Sequence, residues 1–484
     1  MCGIAGAAAI NGRRDDCSSA LLVRLMLEAM QYRGEEAAGI ATVDGGEIRL
    51  IKGPGLVRER LTDGVVRSLR GNPAVGHTRY GTTGGSHPEN AHPHHEEGRR
   101  EVALVHNGNL VPYNTEDLRN QLKRAGVLLD SASDSEAIAA KIAHSDAATL
   151  EEAIVETCSQ LRGAYSLAGI TPQGQLFAAR DPHGIRPLEL GYLENGEGRF
   201  LLLASETYAL DVIGAESVRE IRPGEVLVIH PDGLQDSFDL CSSTDRPHRQ
   251  LCIFEINYFA CPATRLYGRE VHGMRAEMGA RLARESRDDG LQVDFVAPVP
   301  ESGRPHSEGF AREMGVPLEA AFLKRRGQDR RSFLAPKGRS DVVRRKLQVL
   351  PGQVRGKRLV IVEDSVVRGT TTPLLVKGLY GVGGADWVGL GVAAPPITHP
   401  CFYGIDTATA EQLVASQAGL ARIRELVPAQ FRDAPPTEVI RAYIGAKWMR
   451  YLSLEEMGAA TGRSLEDFCT ACYTGIYPVP LEGR

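Results

Sequence analysis

Apolar residues change their rhythm once along this chain, and the change restricts it to two unlike sheets. Up to about residue 240 the apolar runs are short and alternate with polar positions, as at 102–106, 165–170 and 225–230, with glycine-bearing turns between them. Alternation of period two marks strands buried on one face, so this part predicts an α+β domain dominated by antiparallel pairing. Helical stretches are expected near 115–126, 134–144 and 149–161, and Ser18 or Ser19 suits the cap of an earlier helix. Beyond residue 250 the strands read as continuous apolar runs, at 295–300, 359–362 and 387–393, separated by helical segments. Such runs imply an α/β domain whose parallel sheet is covered on both faces. The polar, proline-bearing stretch 241–250 lies between the two rhythms and is the best linker. The expected division is therefore residues 2–240, residues 251–430 and a helical C-terminal segment, 431–484.

Composition excludes several classes of function. A net charge of −5 over 484 residues supplies no basic field for nucleic acid. No apolar run approaches the roughly 18 residues of a membrane span, and no basic-then-apolar leader opens the chain, so a cytoplasmic protein without membrane contact is expected. Nine cysteines are too sparse for a disulfide framework, which leaves metal binding or catalysis for any that matter.

The chain opens Met1-Cys2-Gly3-Ile4. With Met1 removed, Cys2 would carry a thiol and a free α-amine, whose proton affinities lie within about one pH unit of each other. Such a residue is a nucleophile with its own base. The alternative is a small apolar residue in an edge strand. Four other pieces offer what the nucleophile would need. Arg79 sits in the glycine-flanked turn Gly76-His-Thr-Arg-Tyr-Gly-Thr82, where a guanidinium can fork onto a carboxylate. Asn107 and the Gly108 N–H, in His106-Asn-Gly-Asn109, can serve as a pair of oxyanion donors. Ser133-Asp-Ser-Glu136 reads as a helix cap, and 180–187 as a rigid turn. The histidine-rich run 86–97 is interrupted by Pro88 and Pro93 and shows no ligand spacing, so it is read as a solvated loop.

Together these motifs resemble the class II glutamine amidotransferases, whose fold is the N-terminal-nucleophile αββα sandwich. The likeness covers residues 2 to about 235, with Tyr32 where family members commonly have histidine. It implies that Cys2 attacks the glutamine amide and that Asn107 and Gly108 hold the oxyanion. By the same likeness Arg79, Thr82 and Asp134 bind glutamine, with Arg79 on its carboxylate and Asp134 on its ammonium group.

In the second half, 358–372 reads as a buried strand ending in Glu363 and Asp364, then a small-residue loop through Ser365, Arg368, Gly369, Thr370 and Thr371 into a helix. Amides and hydroxyls at a helix N-terminus bind phosphate, and paired carboxylates can accept from two ribose hydroxyls. The stretch resembles the loop of type I phosphoribosyltransferases, and both halves together resemble the glutamine phosphoribosylpyrophosphate amidotransferases. That family implies ammonia transfer from glutamine to C1 of phosphoribosylpyrophosphate, which opens purine synthesis. It also implies Mg²⁺ at Ser302, Glu363 and Asp364 through the substrate, and a homodimer or homotetramer with purine nucleotides as effectors. Glu301 and Ser302 would contact pyrophosphate, and Lys324 and Lys346 would flank a basic flap. The flap's arginines could instead point to nucleic acid. Glu363 stands where the family has aspartate, the flap lacks the usual tyrosine, and Cys261-Pro-Ala-Thr264 replaces Arg-Pro-Asp-Ser.

Cys252, Cys401, Cys469 and Cys472 form one set, although only the last two show a ligand spacing. Their surroundings resemble the iron-sulfur branch of the family, which implies a [4Fe-4S] cluster, with zinc as the alternative. Cys17, Cys158, Cys241 and Cys261 are left as structural residues. Three readings are open: the purine enzyme, a relative that aminates an altered electrophile, and a ligand-sensing regulator without activity.

Overall fold

A computed structural model describes residues 1–10, 17–81, 87–241, 247–324, 347–407 and 409–482. Thr82, Lys346 and the expected flap between Lys324 and Leu347 lie outside the described residues.

The first half is built from a seven-stranded and a six-stranded sheet. Strand Gly3–Ile10 lies at the centre of the seven, antiparallel to Ala74–Arg79 on one side and Gly198–Ala204 on the other, so it is no edge strand. Its small residues let it be covered twice. Ala5, Ala7 and Ala9 point into a core with Leu22, Val23 and Met26 of helix Ser18–Ala29, whereas Ile4 and Ala8 meet the second sheet at Val105 and Ala168. Strand Glu101–Leu110 repeats the pattern. Ala103 and Val105 face inward, and Val102 and Leu104 pack with Ile138 and Ile154 of helices Asp134–His144 and Leu150–Gln160. Period-two patterning on two stacked sheets thus yields four layers, helix–sheet–sheet–helix. Ser18 and Ser19 do not cap the first helix: Cys17 holds that position without a side-chain bond, and the Ser19 hydroxyl bonds Asn72 instead.

In the second half, strands Phe295–Pro298, Arg358–Glu363, Trp387–Val392 and Trp448–Tyr451 form a parallel sheet in that order. Val360 and Val362 face Leu282 and Phe310, while Leu359 and Ile361 face Leu375 and Leu379. Helices therefore cover both faces, as continuous apolar strands require. The fourth strand falls within the stretch expected to be helical, and Phe468–Cys469 pairs in parallel with Leu251–Cys252. The C-terminal segment is thus woven into the second sheet and back to the start of that half. Among the described residues no helix is long and apolar enough to cross a membrane.

Candidate active sites

Cys2 lies where the central strand begins. Its sulfur accepts from the Tyr80 N–H at 3.4 Å and sits 3.7 Å from the Tyr80 carbonyl, to which the thiol donates. The Cys2 carbonyl accepts from Arg33 Nε at 2.9 Å. Arg33 is wholly buried and paired with two buried carboxylates, Glu206 and Glu255. Burial alone would lower its pKa, but Glu255 and Glu206 outweigh it and keep the guanidinium firmly charged.

Asn107 is buried, and neither its amide nitrogen nor its oxygen has a hydrogen-bond partner among the described residues. A buried amide left unpaired in a resting protein is costly unless something else uses it. Gly108, with φ of +142°, follows it in the strand opposite Tyr165. Asp134 accepts from the Leu110 N–H at 2.9 Å and the Ser135 hydroxyl at 3.2 Å, with His106 Nδ1 3.7 Å away. Burial would raise its carboxyl, but His106 and these donors hold it below the usual carboxylate range. Ser133 caps the helix through Ser135 N–H, whereas Glu136 reaches back to the Asp130 and Ser131 amides and not to Ser133. Arg79 is buried and paired with Glu36 at 2.9 Å, a carboxylate the sequence reading did not assign to it.

The histidine-rich run is not a solvated loop throughout. His92 and His94 are buried, with ring centroids 4.0 Å from His77 to His92 and 4.6 Å from His92 to His94. Strand His94–Glu97 explains the split, since alternate residues face opposite sides. His94 turns inward and His95 outward, where it meets Glu101 at 2.8 Å.

The phosphoribosyl residues converge on one cleft of about 530 Å³ at the ends of the parallel strands. Glu301, Ser302 and Lys324 line it, and so do Glu363, Asp364, Ser365 and Arg368. Gly369, Thr370 and Thr371 complete the loop before helix Thr372–Gly381. Neither acid is exposed at the strand end. Asp364 is buried, and Glu363 is pushed up to about 8 by burial and then by Asp364 beside it, although Thr372 Oγ1 donates to it at 3.0 Å. Tyr80, Tyr258, Cys261 and Arg275 also line this wall, and Asn257 donates to the Asp364 carbonyl at 3.0 Å; no sequence motif assigns any of them to it. Tyr32 and Tyr80 come from the first half and close the cleft from that side. No local pattern marks them, because they reach the cleft only through the packing of the two halves.

Cys252, Cys401, Cys469 and Cys472 line a single apolar cavity together with Arg186. Pairing of Leu251–Cys252 with Phe468–Cys469 sets Cys252 opposite Cys469. Burial works against the Arg186 charge, yet Cys252, Cys401 and Glu255 raise its pKa. The donor set fits a bulky, net-anionic cluster held by four thiolates beside one guanidinium.

The glutamine amidotransferase domain family matches residues 77–212. The chain is 41% identical to the Synechococcus elongatus amidophosphoribosyltransferase over 461 residues, 94% of this chain and 87% of that protein. It is 37% identical to the Bacillus subtilis enzyme of the same name over 464 residues, 94% of this chain and 90% of that one. The solved B. subtilis glutamine phosphoribosylpyrophosphate amidotransferase, complexed with ADP and GMP, superposes with a TM-score of 0.85 at 35% identity, covering 99% of this chain and 98% of that one. Likeness of this extent, spanning both sheets and both sites, shows that the chain belongs to the amidophosphoribosyltransferase family, the glutamine amidotransferases of the first committed step in purine biosynthesis.

Proposed function

We propose that Cys2, freed at its α-amine by loss of Met1, releases ammonia from glutamine, and that the ammonia aminates C1 of phosphoribosylpyrophosphate in the adjoining cleft. The observation that carries this reading is Tyr80, which holds the Cys2 sulfur through its backbone and also lines the cleft. The Cys2 sulfur attacks the side-chain amide carbon. The resulting oxyanion takes two donors, the Asn107 amide, which has no partner among the described residues, and the Gly108 N–H, each worth about 2.7–4 kcal/mol in comparable sites. Collapse expels ammonia with a proton from the α-amine, and water hydrolyses the thioester to glutamate. Arg79, already facing Glu36, takes the substrate carboxylate, and Asp134 takes its ammonium group. Ammonia that escaped to water would be protonated and lost as a nucleophile, which favours a closed path beside Tyr80 and Tyr32.

In the cleft, Arg368 and the loop amides before helix Thr372–Gly381 receive the 5-phosphate, and Glu363 and Asp364 face the ribose hydroxyls. Glu301, Ser302 and Lys324 take pyrophosphate, which leaves as ammonia attacks the opposite face of C1. Ser302, Glu363 and Asp364 would hold magnesium through the substrate, and the ion would supply neutralisation of the departing pyrophosphate's charge. Cys252, Cys401, Cys469 and Cys472 would hold a [4Fe-4S] cluster, which would supply a redox-sensitive cross-link between the start and the end of the second half. Purine nucleotide effectors and a homodimer or homotetramer belong to the same reading; the B. subtilis relative carries ADP and GMP.

The test follows glutamate and pyrophosphate together in anaerobic protein given glutamine, magnesium and phosphoribosylpyrophosphate. Equal amounts of both are expected; glutamate without pyrophosphate overturns the acceptor. Cys2→Ala should abolish glutamine use and spare ammonia-dependent synthesis, and loss of both would contradict the two-site scheme.

A further inference from the structure

Gly404, in the second half of the chain, is packed against the oxyanion glycine of the first. Its φ is +107°, and a Cβ placed on it would lie 3.1 Å from Gly108 Cα and 3.2 Å from the Gly108 carbonyl carbon. On the other side of Gly108 a Cβ would meet the Ala164 carbonyl oxygen at 2.0 Å. Gly108 is therefore held between the neighbouring strand and the 401–407 loop, backbone against backbone.

That loop is firmly anchored. The Tyr403 carbonyl accepts from Arg186 Nε at 2.8 Å and Nη2 at 2.6 Å. The buried Tyr403 hydroxyl donates to the Val479 carbonyl at 2.6 Å and accepts from the Val479 N–H at 3.0 Å. Thr407 Oγ1 accepts from the Cys401 N–H at 3.0 Å, closing the loop on itself. The donor thus belongs to the glutaminase half, while one wall that fixes its orientation belongs to the other.

We propose that Gly404 is a positioning residue for the glutaminase oxyanion hole, setting the plane of the Asn107–Gly108 peptide so that the Gly108 N–H meets the oxyanion. The inference rests on the assignment of Asn107 and Gly108 as oxyanion donors. Only glycine satisfies both demands at 404, since any side chain is strained at that φ and presses on Gly108. The glutaminase transition state accordingly depends on a loop that contributes no group to glutamine chemistry. A misplacement of about 1 Å in such a site costs on the order of a hundredfold in rate.

Gly404→Ala tests this in the full chain. Glutamine-dependent kcat should fall about 10–100-fold, with KM for glutamine within about threefold and ammonia-dependent synthesis within about twofold. The direct probe is glutamate γ-semialdehyde, the aldehyde analogue of glutamine. The Cys2 sulfur bonds its carbonyl carbon, the C=O π bond opens, and the thiol proton passes by way of the α-amine to the oxygen, which occupies the hole as a thiohemiacetal. Aldehyde affinity should fall by the same factor as kcat while glutamate affinity is unchanged. Equal loss of both affinities, or no loss of either, overturns the proposal. Tyr403→Phe, which loosens the loop without adding a group near Gly108, should give the same pattern at about 3–10-fold and serves if the alanine variant fails to fold. If Asn107→Ala itself leaves kcat intact, the oxyanion assignment fails; if Asn107→Ala lowers kcat and neither loop variant does, only the role of Gly404 falls.

Discussion

The Tyr80 N–H and the Cys2 sulfur stand 3.4 Å apart, and Tyr80 is also part of the wall of the phosphoribosyl cleft. One residue thus borders both Cys2 and the cleft, where the proposed function has ammonia made and used. Tyr80→Ala keeps the backbone bond to Cys2 and removes the ring from that border. Glutamate formed per pyrophosphate should rise above one, with the excess ammonia appearing in bulk solvent. A ratio that stays at one would show that Tyr80 forms no part of the seal.

Asn107 gives a contrasting signature, because its amide makes no hydrogen bond among the described residues. Removing it breaks no hydrogen bond among the described residues but takes away the donor proposed for the transition state. Asn107→Ala should lower glutamine-dependent kcat by about 10²–10³ while changing stability by less than about 1 kcal/mol. Parallel rate measurements and urea titrations separate the two effects.

Glu255 should show the reverse. It is buried between Arg33 at 2.6 Å and Arg186 at 3.4 Å, and Arg33 holds the Cys2 carbonyl. Glu255→Gln leaves two buried guanidinium groups short of their counter-charge, a change that typically costs about 3–5 kcal/mol. A urea midpoint unchanged from that of the parent would contradict a structural role for this ion network.

Glu363 is a stability–function compromise. Burial and the adjacent Asp364 push it up to about 8, far above an unfolded glutamate near 4.5. For a carboxyl raised in the folded state, stability is fully present below the unfolded pKa and is lost as pH rises through the folded value. Glu363→Gln removes that proton linkage and should stabilise the free protein at pH 8 by on the order of 1–3 kcal/mol. It should also weaken use of phosphoribosylpyrophosphate at least tenfold. Thermal unfolding at pH 6 and pH 8, with and without substrate, checks both.

The buried histidines set an acid limit. Burial pushes His77 down to about 3 and places His92 and His94 well below their usual value of 6.5. The folded state keeps them neutral while the unfolded chain binds protons below about pH 6.5, so their contribution is present above that pH. It is lost as pH falls toward the folded values, at about 1.4 kcal/mol per pH unit for each ring. His92→Gln should therefore flatten the decline in urea midpoint between pH 6.5 and pH 5, and an unaltered slope would count against the cluster.

Local pattern alone determined a good deal about this protein. Period-two alternation before residue 240 and continuous apolar strands after 250 specify two kinds of sheet, because side-chain periodicity decides which faces can be buried. The motifs around Cys2, Asn107 and Glu363 are likewise contiguous, so the family they resemble could be recognised from neighbours in the chain. The strand Trp448–Tyr451 was not legible, being four residues long and committed to β structure only by an edge already formed at Trp387–Val392. The depth of His92 and His94, the pairing of Arg79 with Glu36 and the raised pKa of Glu363 were equally hidden, since burial is a property of the assembled core. Tertiary structure alone decided that Tyr80 would border both sites and that Gly404 would press on Gly108. Pairing of Gly3–Ile10 with Ala74–Arg79 brings Tyr80 to Cys2, 78 positions away in sequence, but only the docking of one folded half on the other sets Tyr80 in the cleft wall and Gly404 against Gly108, 296 positions apart.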